Sequence, residues 1–220
     1  MTEPLIRLEH VGVRFGRQEV LRNLGFTIMP HETVAIIGES GCGKSVTLKL
    51  IVGLLQPTTG TVFFEGRPVN EMKERDLVAM RLRVGFLFQG AALFDSLNVY
   101  ENVSFGPRAK GGFTEDQLRQ NVRERLQEVG LPENVIAKMP AELSGGMQKR
   151  VALARAIALD PMLIMYDEPF AGLDPISLSI VGELIRKLND ALGASSIVVT
   201  HDVQESLKIV DYVYFVSEEI

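Results

Sequence analysis

The hydrophobic pattern along the chain predicts an α/β fold around a mostly parallel sheet. Four short runs are apolar without the alternation of a half-exposed strand, which indicates strands covered on both faces. They occupy residues 34–37, 84–88, 163–166 and 197–200. Helical spacing separates these runs and is clearest in residues 45–52, 147–159 and 175–192. The last of these helices has Asp174 in a position suited to its N-cap and Pro175 in its first turn.

The N-terminal segment and the middle of the chain add two further parts to this core. Residues 5–13 and 20–29 are rich in apolar and β-branched residues, with Gly16 between them, and predict an antiparallel hairpin. Helical signals follow one another in residues 116–129, 133–139 and 147–159, which predicts a helical insertion. We therefore expect one domain over residues 1–220. Residues 1–88 and 160–220 form its core with the antiparallel part, and residues 89–159 form the inserted helical subdomain.

A chemically distinctive residue follows each of the four apolar runs. Gly38 follows the first run, Gln89 the second, Asp167 and Glu168 the third, and His201 the fourth. Ligands of parallel α/β sheets bind beyond the carboxyl ends of the strands. The sequence therefore predicts that these residues converge on one site.

Residues 38–45 match the pattern of a phosphate-binding loop at every required position. The predicted nucleotide contacts are Gly38, Glu39, Ser40, Gly41, Cys42, Gly43, Lys44, Ser45 and Val46. Glycines let successive backbone N–H groups face a phosphate, and the helix that starts here adds its positive end. Lys44 supplies charge at the outer phosphates, and Ser45 offers a hydroxyl to Mg²⁺. A chance match is expected in about one chain in a hundred of this length, and a preceding buried strand makes it rarer.

Two carboxylates follow the third apolar run. A magnesium–nucleotide site needs one acidic group near the metal and a second that orients the attacking water. Asp167 suits the first role and Glu168 the second, while Gln89 suits a metal or water ligand. Paired acids at a strand end are more often a solvated turn, and by position alone Gln89 also fits a plain loop. The upstream phosphate loop favours the catalytic interpretation.

Ser144, Gly145 and Gly146 stand at the start of the helix predicted near residue 147. A hydroxyl and two flexible residues at a helix start form an anion-binding nest, although Ser-Gly-Gly by itself is a common loop sequence. The chain therefore offers two phosphate nests but a single lysine-bearing loop. If both nests bind the same nucleotide, the site is shared between two chains.

Two further side chains have both a functional and a structural interpretation. His201 at a strand end suits contact with the terminal phosphate, whereas a lone histidine is more often structural. Phe15, in the hairpin turn, suits stacking on adenine, and core packing is nearly as favourable for it. We interpret His10 and His31 as structural.

Composition narrows the function classes. The 220 residues are 46% hydrophobic, enough for a sizeable core, and the net charge of −5 gives no electrostatic case for nucleic acid. The single cysteine, Cys42, excludes an intrachain disulfide and fits a reducing compartment. No apolar run approaches the roughly 20 residues that span a bilayer. A membrane role therefore requires a membrane partner rather than direct insertion.

In order and spacing, these segments resemble the nucleotide-binding domain of ABC transporters along nearly the whole chain. The matching motifs are the aromatic Phe15, Walker A at 38–45, the Q-loop Gln89, the signature at 143–147, Walker B with Asp167 and Glu168, the D-loop at 171–174 and the switch histidine His201. Met147 stands where the commonest signature has glutamine. This departure leaves the phosphate-facing Ser144 and its two glycines intact.

The resemblance implies a P-loop NTPase core of RecA-like type, with an N-terminal antiparallel β subdomain and an inserted α-helical subdomain. It implies an ATPase that uses ATP and Mg²⁺, with Asp174 of the D-loop among the residues at the nucleotide. Two copies of the chain would hold each ATP between Walker A of one copy and the signature of the other. That dimer would drive a transmembrane permease docked beside the Q-loop, on the cytoplasmic face of the bacterial inner membrane.

Within the family, residues 89–99, 144–155 and 166–176 resemble the subfamily that serves lipid transport with MCE-domain proteins, including the bacterial Mla-type phospholipid systems. This implies a permease, an MCE-domain protein and a small STAS-domain protein as partners, with residues 94–97 facing the permease. Toluene-tolerance and steroid-uptake relatives share much of the pattern. An importer of amino acids or other small solutes is the main alternative.

Other classes fit the sequence less well. DNA-repair and chromosome ATPases with these motifs separate them by long heptad-patterned coiled coils, which residues 46–166 lack. Translation-acting relatives usually carry two such domains, and a module that only binds ATP is not expected to keep Glu168. Residues 213–216 predict a strand, after which the family usually continues with a further strand and helix. We therefore expect a truncated chain that is monomeric without ATP.

Overall fold

The four apolar runs form neighbouring strands of one parallel sheet. The computed structural model describes residues 3–216. Its strands are β1 (Ile6–Phe15), β2 (Gln18–Ile28), β3 (Thr33–Ile37), β4 (Thr59–Phe64), β5 (Arg67–Pro68), β6 (Val84–Leu87), β7 (Leu163–Asp167), β8 (Ser195–Thr200) and β9 (Tyr212–Phe215). The parallel sheet has the order β6-β7-β8-β3-β9. β3, β7 and β8 are buried at every residue, as expected for strands covered on both faces.

The predicted N-terminal hairpin belongs to a second, antiparallel sheet with the order β2-β1-β4-β5. The hydrophobic pattern does not predict β4, because two threonines and a glycine form its first half and leave only a short apolar run. The strand forms by pairing with β1, and Gly60 allows the backbone of β4 to lie close to the backbone of β1. Its φ is 78°, and a side chain there would collide with the backbone carbonyl oxygens of Glu9 and His10.

The predicted helices are present, with one exception. The helices are α1 (Lys44–Ile51), α2 (Glu74–Arg81), α3 (Val99–Lys110), α4 (Glu115–Glu128), α5 (Gly145–Ile157), α6 (Pro175–Leu192) and α7 (Val203–Ser206). The helix predicted at residues 133–139 is wrong, because that segment contains only a 3₁₀ turn at Glu133–Val135. Pro132 and Pro140 flank the segment, which leaves too few residues for a stable α-helix.

Helix α3 was not predicted as a separate element, although its first turn is well defined. The side chain of Asn98 accepts a hydrogen bond from the N–H of Glu101, and the Glu101 side chain accepts one from the N–H of Asn98. This capping box fixes the start of the helix. Gly106 and Pro107 in its second half weaken the helical signal of the sequence.

The two faces of the parallel sheet contribute to two hydrophobic clusters. Along β7, Leu163 and Met165 pack with the antiparallel sheet and α1, whereas Ile164 and Tyr166 pack with α3 to α6. This alternation follows from the two-residue period of a strand. Helix α5 contacts β6, α3, α4 and α6, so it joins the inserted helices to the sheet. Within residues 3–216, no helix is both long enough and apolar enough to cross a bilayer.

Candidate active site

The phosphate loop connects β3 to α1 and depends on its glycines. Gly41 and Gly43 have φ values of 91° and 94°, a left-handed backbone that glycine adopts without strain. A β-carbon at Gly43 would also lie 2.4 Å from Cδ2 of Leu21 in β2. A residue with a side chain would be strained at Gly41 and at Gly43, and at Gly43 it would also collide with Leu21. The shape of the loop therefore requires glycine at both positions.

Lys44 turns its ammonium group back over the loop. Its Nζ donates hydrogen bonds to the carbonyl oxygens of Gly38 at 2.8 Å and Glu39 at 2.9 Å, and it lies 3.9 Å from Oε1 of Glu168. The side chain is buried. The loop thus presents a buried positive charge beside the N-terminus of α1, where an anionic ligand is favoured.

Asp167 and Ser45 lie against each other at the start of α1. Oγ of Ser45 donates to Oδ1 of Asp167 at 2.9 Å. Burial raises the pKa of Asp167 above its ordinary value, and the charge of Glu168 adds to this, while the Ser45 hydrogen bond and nearby lysines oppose it. The ionised form of Asp167 is therefore disfavoured in the protein alone, and a cationic ligand would stabilise it.

Glu168 is held more tightly than a strand-end carboxylate in a solvated turn. The residue is 8% exposed and its φ is 47°. Oε2 accepts a hydrogen bond from Oγ1 of Thr200 at 3.1 Å and lies 2.9 Å from Nδ1 of His201. The alternative of a solvated acidic turn is therefore wrong for this residue.

The strand ends converge, as the sequence predicts. An open cleft of about 270 Å³ is lined by Val20, Ser40, Gly41, Gly43, Lys44, Ser45, Val46, Gln89, Glu168 and His201. Gln89, Glu168 and His201 follow three different strands of the parallel sheet and reach one cleft beside the phosphate loop. Asp167 adjoins the cleft through its hydrogen bond with Ser45.

Three predicted loop residues contribute differently from the rest. Gly38 and Glu39 offer their carbonyl oxygens to Lys44, and Cys42 is buried.

Phe15 is 50% exposed at the end of β1, which excludes core packing for this side chain. It belongs to the same hairpin as Val20, which lines the cleft.

The second predicted nest does not line this cleft. Ser144 caps α5, with its Oγ accepting a hydrogen bond from the N–H of Met147 at 3.3 Å. A β-carbon at Gly145 would meet nothing within 4 Å, whereas one at Gly146 would meet the side chain of Ser177. The helix start is therefore accessible at Ser144 and Gly145. A ligand that lies only in the cleft of the same chain would not contact it.

Asp174 also lies outside the cleft and has a defined structural role. As predicted, it is the N-cap of α6, accepting hydrogen bonds from the N–H groups of Ile176 and Ser177. The Ser177 hydroxyl donates to its other oxygen at 2.6 Å and lowers the pKa of Asp174, and the backbone bonds add to this effect. The carboxylate is thus ionised at neutral pH at an exposed helix start.

Val20 and Thr200 belong to the site but were not predicted from the sequence. Val20 lines the cleft, but an apolar residue in a strand carries no signal of ligand contact. Thr200 is fully buried and donates to Glu168. Its signal is a hydroxyl at the end of an apolar run, next to His201.

Cleft size does not identify the site. A larger hollow of about 730 Å³ lies between α6 and α7, and its charged lining residues are Glu183, Asp190, Glu205, Arg186, Lys187 and Lys208. Three acids and three bases offset one another there, so the hollow has no net charge to attract phosphates. The smaller cleft instead combines backbone N–H groups, a buried lysine and a helix start, which recognise phosphate.

Comparison with known proteins identifies the family. The family model described as ABC transporter matches residues 21–171. The chain is 44% identical to the intermembrane phospholipid transport system ATP-binding protein MlaF of Haemophilus influenzae, and the match covers 100% of this chain and 83% of that protein. It is 40% identical to MlaF of Escherichia coli, over 98% of this chain and 80% of that protein.

Solved structures agree with this assignment. A dimeric post-hydrolysis state of the ATP-binding cassette MJ0796, bound to ADP and Pi, has a TM-score of 0.87 and 32% sequence identity, over 96% of this chain and 94% of that chain. The chain therefore belongs to the family of ABC transporter ATP-binding subunits. The predicted fold class, the enzyme class of an ABC-type ATPase and the similarity to Mla-type ATPases are confirmed.

We expect Asp167→Asn to raise the thermal stability of the protein without nucleotide. Burial raises the folded-state pKa of Asp167 above its unfolded-state value, so at pH 7 the ionised carboxylate costs stability. This cost is relieved only as the pH falls through the folded-state pKa toward the unfolded-state value. Asparagine removes the charge and keeps an acceptor for Ser45. Calorimetry at pH 7 should show a Tm higher by a few degrees.

The matched control for this prediction is Asp95→Asn, at an exposed position outside the cleft, which should leave the Tm unchanged. A lower Tm for Asp167→Asn than for wild type would contradict the interpretation that this carboxylate is destabilised by burial. Stability gained by both variants alike would mean that the overall negative charge, not the site, is responsible.

Proposed function

We propose that this chain hydrolyses ATP as one subunit of a dimer that powers phospholipid transport between two membranes. The observation that carries the proposal is the cleft in which the phosphate loop, Gln89, Glu168 and His201 meet. It occurs in a chain that is 44% identical along its whole length to MlaF of Haemophilus influenzae. An alternative cargo, such as an amino acid, has no specific support among these observations.

The nucleotide is proposed to bind along the phosphate loop. The backbone N–H groups of residues 40–46 and the start of α1 contact the phosphates, and Lys44 exchanges its carbonyl partners for phosphate oxygens. The exposed ring of Phe15 stacks on adenine. This assignment is supported by the position of the hairpin, since Val20 lines the same cleft.

Ser45, Asp167 and Gln89 are proposed to hold Mg²⁺ together with the phosphates. A hydroxyl, a carboxylate and an amide oxygen form the oxygen-rich donor set that this cation prefers. Ser45 and Asp167 are already in contact, at 2.9 Å. Residues 3–216 contain no cluster of three or more histidine, cysteine or acidic residues placed to hold a metal. Phosphate oxygens and water would complete the shell of the cation. The bound cation would neutralise charge on the phosphates.

Hydrolysis is proposed to proceed by in-line attack of water on the γ-phosphorus. A bond forms from the water oxygen to phosphorus while the bond from phosphorus to the bridging oxygen of ADP breaks. The Glu168 carboxylate orients the water and accepts its proton, and Thr200 and His201 hold that carboxylate in place. His201 is exposed enough to contact the terminal phosphate as well.

A complete site is proposed to need two chains. Ser144, Gly145 and Gly146 present a second nest that does not line the cleft of their own chain. In an ATP-bound dimer, this nest would bind the phosphates held by the partner's loop, and Asp174 would lie beside the same interface. The similar cassette MJ0796 is described as dimeric with ADP and Pi bound, which supports this arrangement.

The dimer is proposed to dock on a transmembrane permease at the cytoplasmic face of the bacterial inner membrane, together with MCE-domain and STAS-domain proteins. Near Gln89, the rings of Phe94 and Phe105 lie 4.7 Å apart and are both well exposed. Exposed aromatic pairs are typical of protein interfaces. The position supports contact between the permease and the loop that follows Gln89.

Glu168→Gln should leave ATP binding intact but slow hydrolysis by about 100-fold or more, because the variant loses the general base. Steady-state phosphate release and equilibrium titration with ATP measure the two effects separately. The control is Glu183→Gln, an exposed residue of α6, which should hydrolyse ATP at the wild-type rate. Near-normal turnover of Glu168→Gln would contradict the assignment of the base.

Ser144→Arg should abolish the ATP-dependent dimer, because the arginine fills the nest that would face the partner's phosphates. The experiment is sedimentation with ATP in the Glu168→Gln background, where the bound nucleotide persists. Thr114→Arg is the matched control, since Thr114 is also a hydroxyl N-cap, on the exposed start of α4. A dimer that forms equally in both variants would sink the shared-site arrangement.

The cargo assignment predicts that the chain, purified in complex with its permease and the MCE-domain and STAS-domain proteins, co-purifies with phospholipid. In proteoliposomes, ATP should drive transfer of a fluorescent phospholipid, and the Glu168→Gln complex should not support this transfer. Mass spectrometry of extracted lipids identifies the cargo. ATP-driven uptake of amino acids without phospholipid movement would favour the importer instead.

A further inference from the structure

Helix α5 carries a lysine on its buried face. Lys149 is 6% exposed and lies on the same face as Leu153 and Ala156, which follow it at helical spacing. The apolar stem of lysine suits these surroundings, but a buried ammonium group costs free energy unless polar partners surround it. The groups that accept hydrogen bonds from Lys149 therefore explain why a charged side chain is tolerated at this buried position.

The ammonium group joins two segments that form the candidate active site. Its Nζ donates to the carbonyl oxygen of Gln89 and to that of Glu168, the second at 3.3 Å. Burial lowers the pKa of Lys149, while the nearby carboxylates of Glu168 and Asp167 oppose this shift. One side chain thus ties together the backbones of the two residues that supply the cleft with an amide and a carboxylate.

The backbone of Glu168 needs such support. Its φ of 47° lies in the left-handed region, where a residue with a side chain is strained. Its N–H donates to the carbonyl oxygen of Val199 at 2.8 Å, and its carbonyl oxygen accepts from the N–H of Ala171 at 3.2 Å as well as from Lys149. Strained conformations persist where several contacts determine them together. The charge-assisted bond from Lys149 is one of these contacts.

The loop after Gln89 is strained and supported in the same way. Ala91 and Ala92 have φ values of 62° and 47°. Arg155, also on α5, donates to the carbonyl oxygens of both alanines at 2.8 Å. Because Lys149 and Arg155 belong to one helix, a displacement of α5 acts on both strained segments at once.

We propose that Lys149 is a positioning residue that fixes the backbones of Gln89 and Glu168 relative to each other and to α5. The inference rests on the proposed roles of these two residues in hydrolysis. α5 begins at its N-cap Ser144, and Lys149 lies about 7.5 Å further along the axis at 1.5 Å per residue. A nucleotide bound at Ser144 thereby acts, through less than two turns of helix, on the carboxylate that polarises water.

The first test is Lys149→Met, which removes the cation and keeps an unbranched apolar side chain. We expect kcat for ATP hydrolysis to fall by about 10-fold or more while the Kd for ATP stays within about twofold of wild type, because misplacing a catalytic group acts mainly on the transition state. Lys149→Arg retains a cation within reach of carbonyl oxygens and should recover much of the lost kcat. Phosphate release and ATP titration on the full chain give both constants.

The matched control is Lys187→Met, the same change at an exposed position of α6, which should leave kcat and Kd unaltered. A double-mutant cycle adds a second readout. In the Glu168→Gln background, Lys149→Met should lower the residual rate little further, because it acts through a carboxylate that is already absent. Should Lys149→Met fail to bind ATP, Lys149→Gln replaces it and must show the same separation of kcat from Kd.

Two results would overturn the inference. One is a kcat for Lys149→Met equal to that of wild type. The other is a loss of kcat and of ATP affinity in parallel across the methionine, glutamine and arginine variants, which indicates a purely structural lysine. Either result leaves the proposed function standing if wild type hydrolyses ATP and Glu168→Gln does not. Failure of wild type to hydrolyse ATP would overturn both.

Discussion

The parallel pairing of β6, β7, β8 and β3 is the constraint on which the candidate active site depends. Strands that are hydrogen-bonded in parallel all end at the same edge of the sheet, so the residues that follow them meet even when they are far apart in sequence. β7, β8 and β3 are buried at every residue, as expected of parallel strands covered on both faces. Glu168 and His201 approach each other because β7 and β8 are neighbours.

The charged groups at this edge of the sheet are of both signs, and they suit a ligand that also carries both signs of charge. Lys44 is buried against carbonyl oxygens, and burial raises the pKa of Asp167. Burial disfavours the ionised form of Asp167 in the protein alone, and under the proposed function a bound nucleotide with Mg²⁺ would offset this cost. The site therefore gives up some stability in exchange for binding, as functional sites commonly do.

Three of the non-glycine residues with positive φ lie at the same edge. Glu168, Ala91 and Ala92 adopt left-handed conformations, and cationic side chains of α5 bind their carbonyl oxygens. α5, which begins at Ser144, thus also supports the backbone segments that border the cleft. This geometry gives a physical route by which contact with a second chain reaches the residues proposed for hydrolysis, since a helix moves as one body.

The sequence by itself determined the buried strands, the phosphate loop and the N-cap of α6, because these depend on local spacing and on residue types with few alternatives. It also predicted that Gln89, Glu168 and His201 converge, since parallel strands end at one edge. Only the tertiary structure decided that β4 pairs with β1, that residues 133–139 form no helix, and that Thr200 and Lys149 hold Glu168. Those outcomes depend on contacts between segments distant in sequence, and no local pattern records which partner a hydroxyl or a buried ammonium group will find.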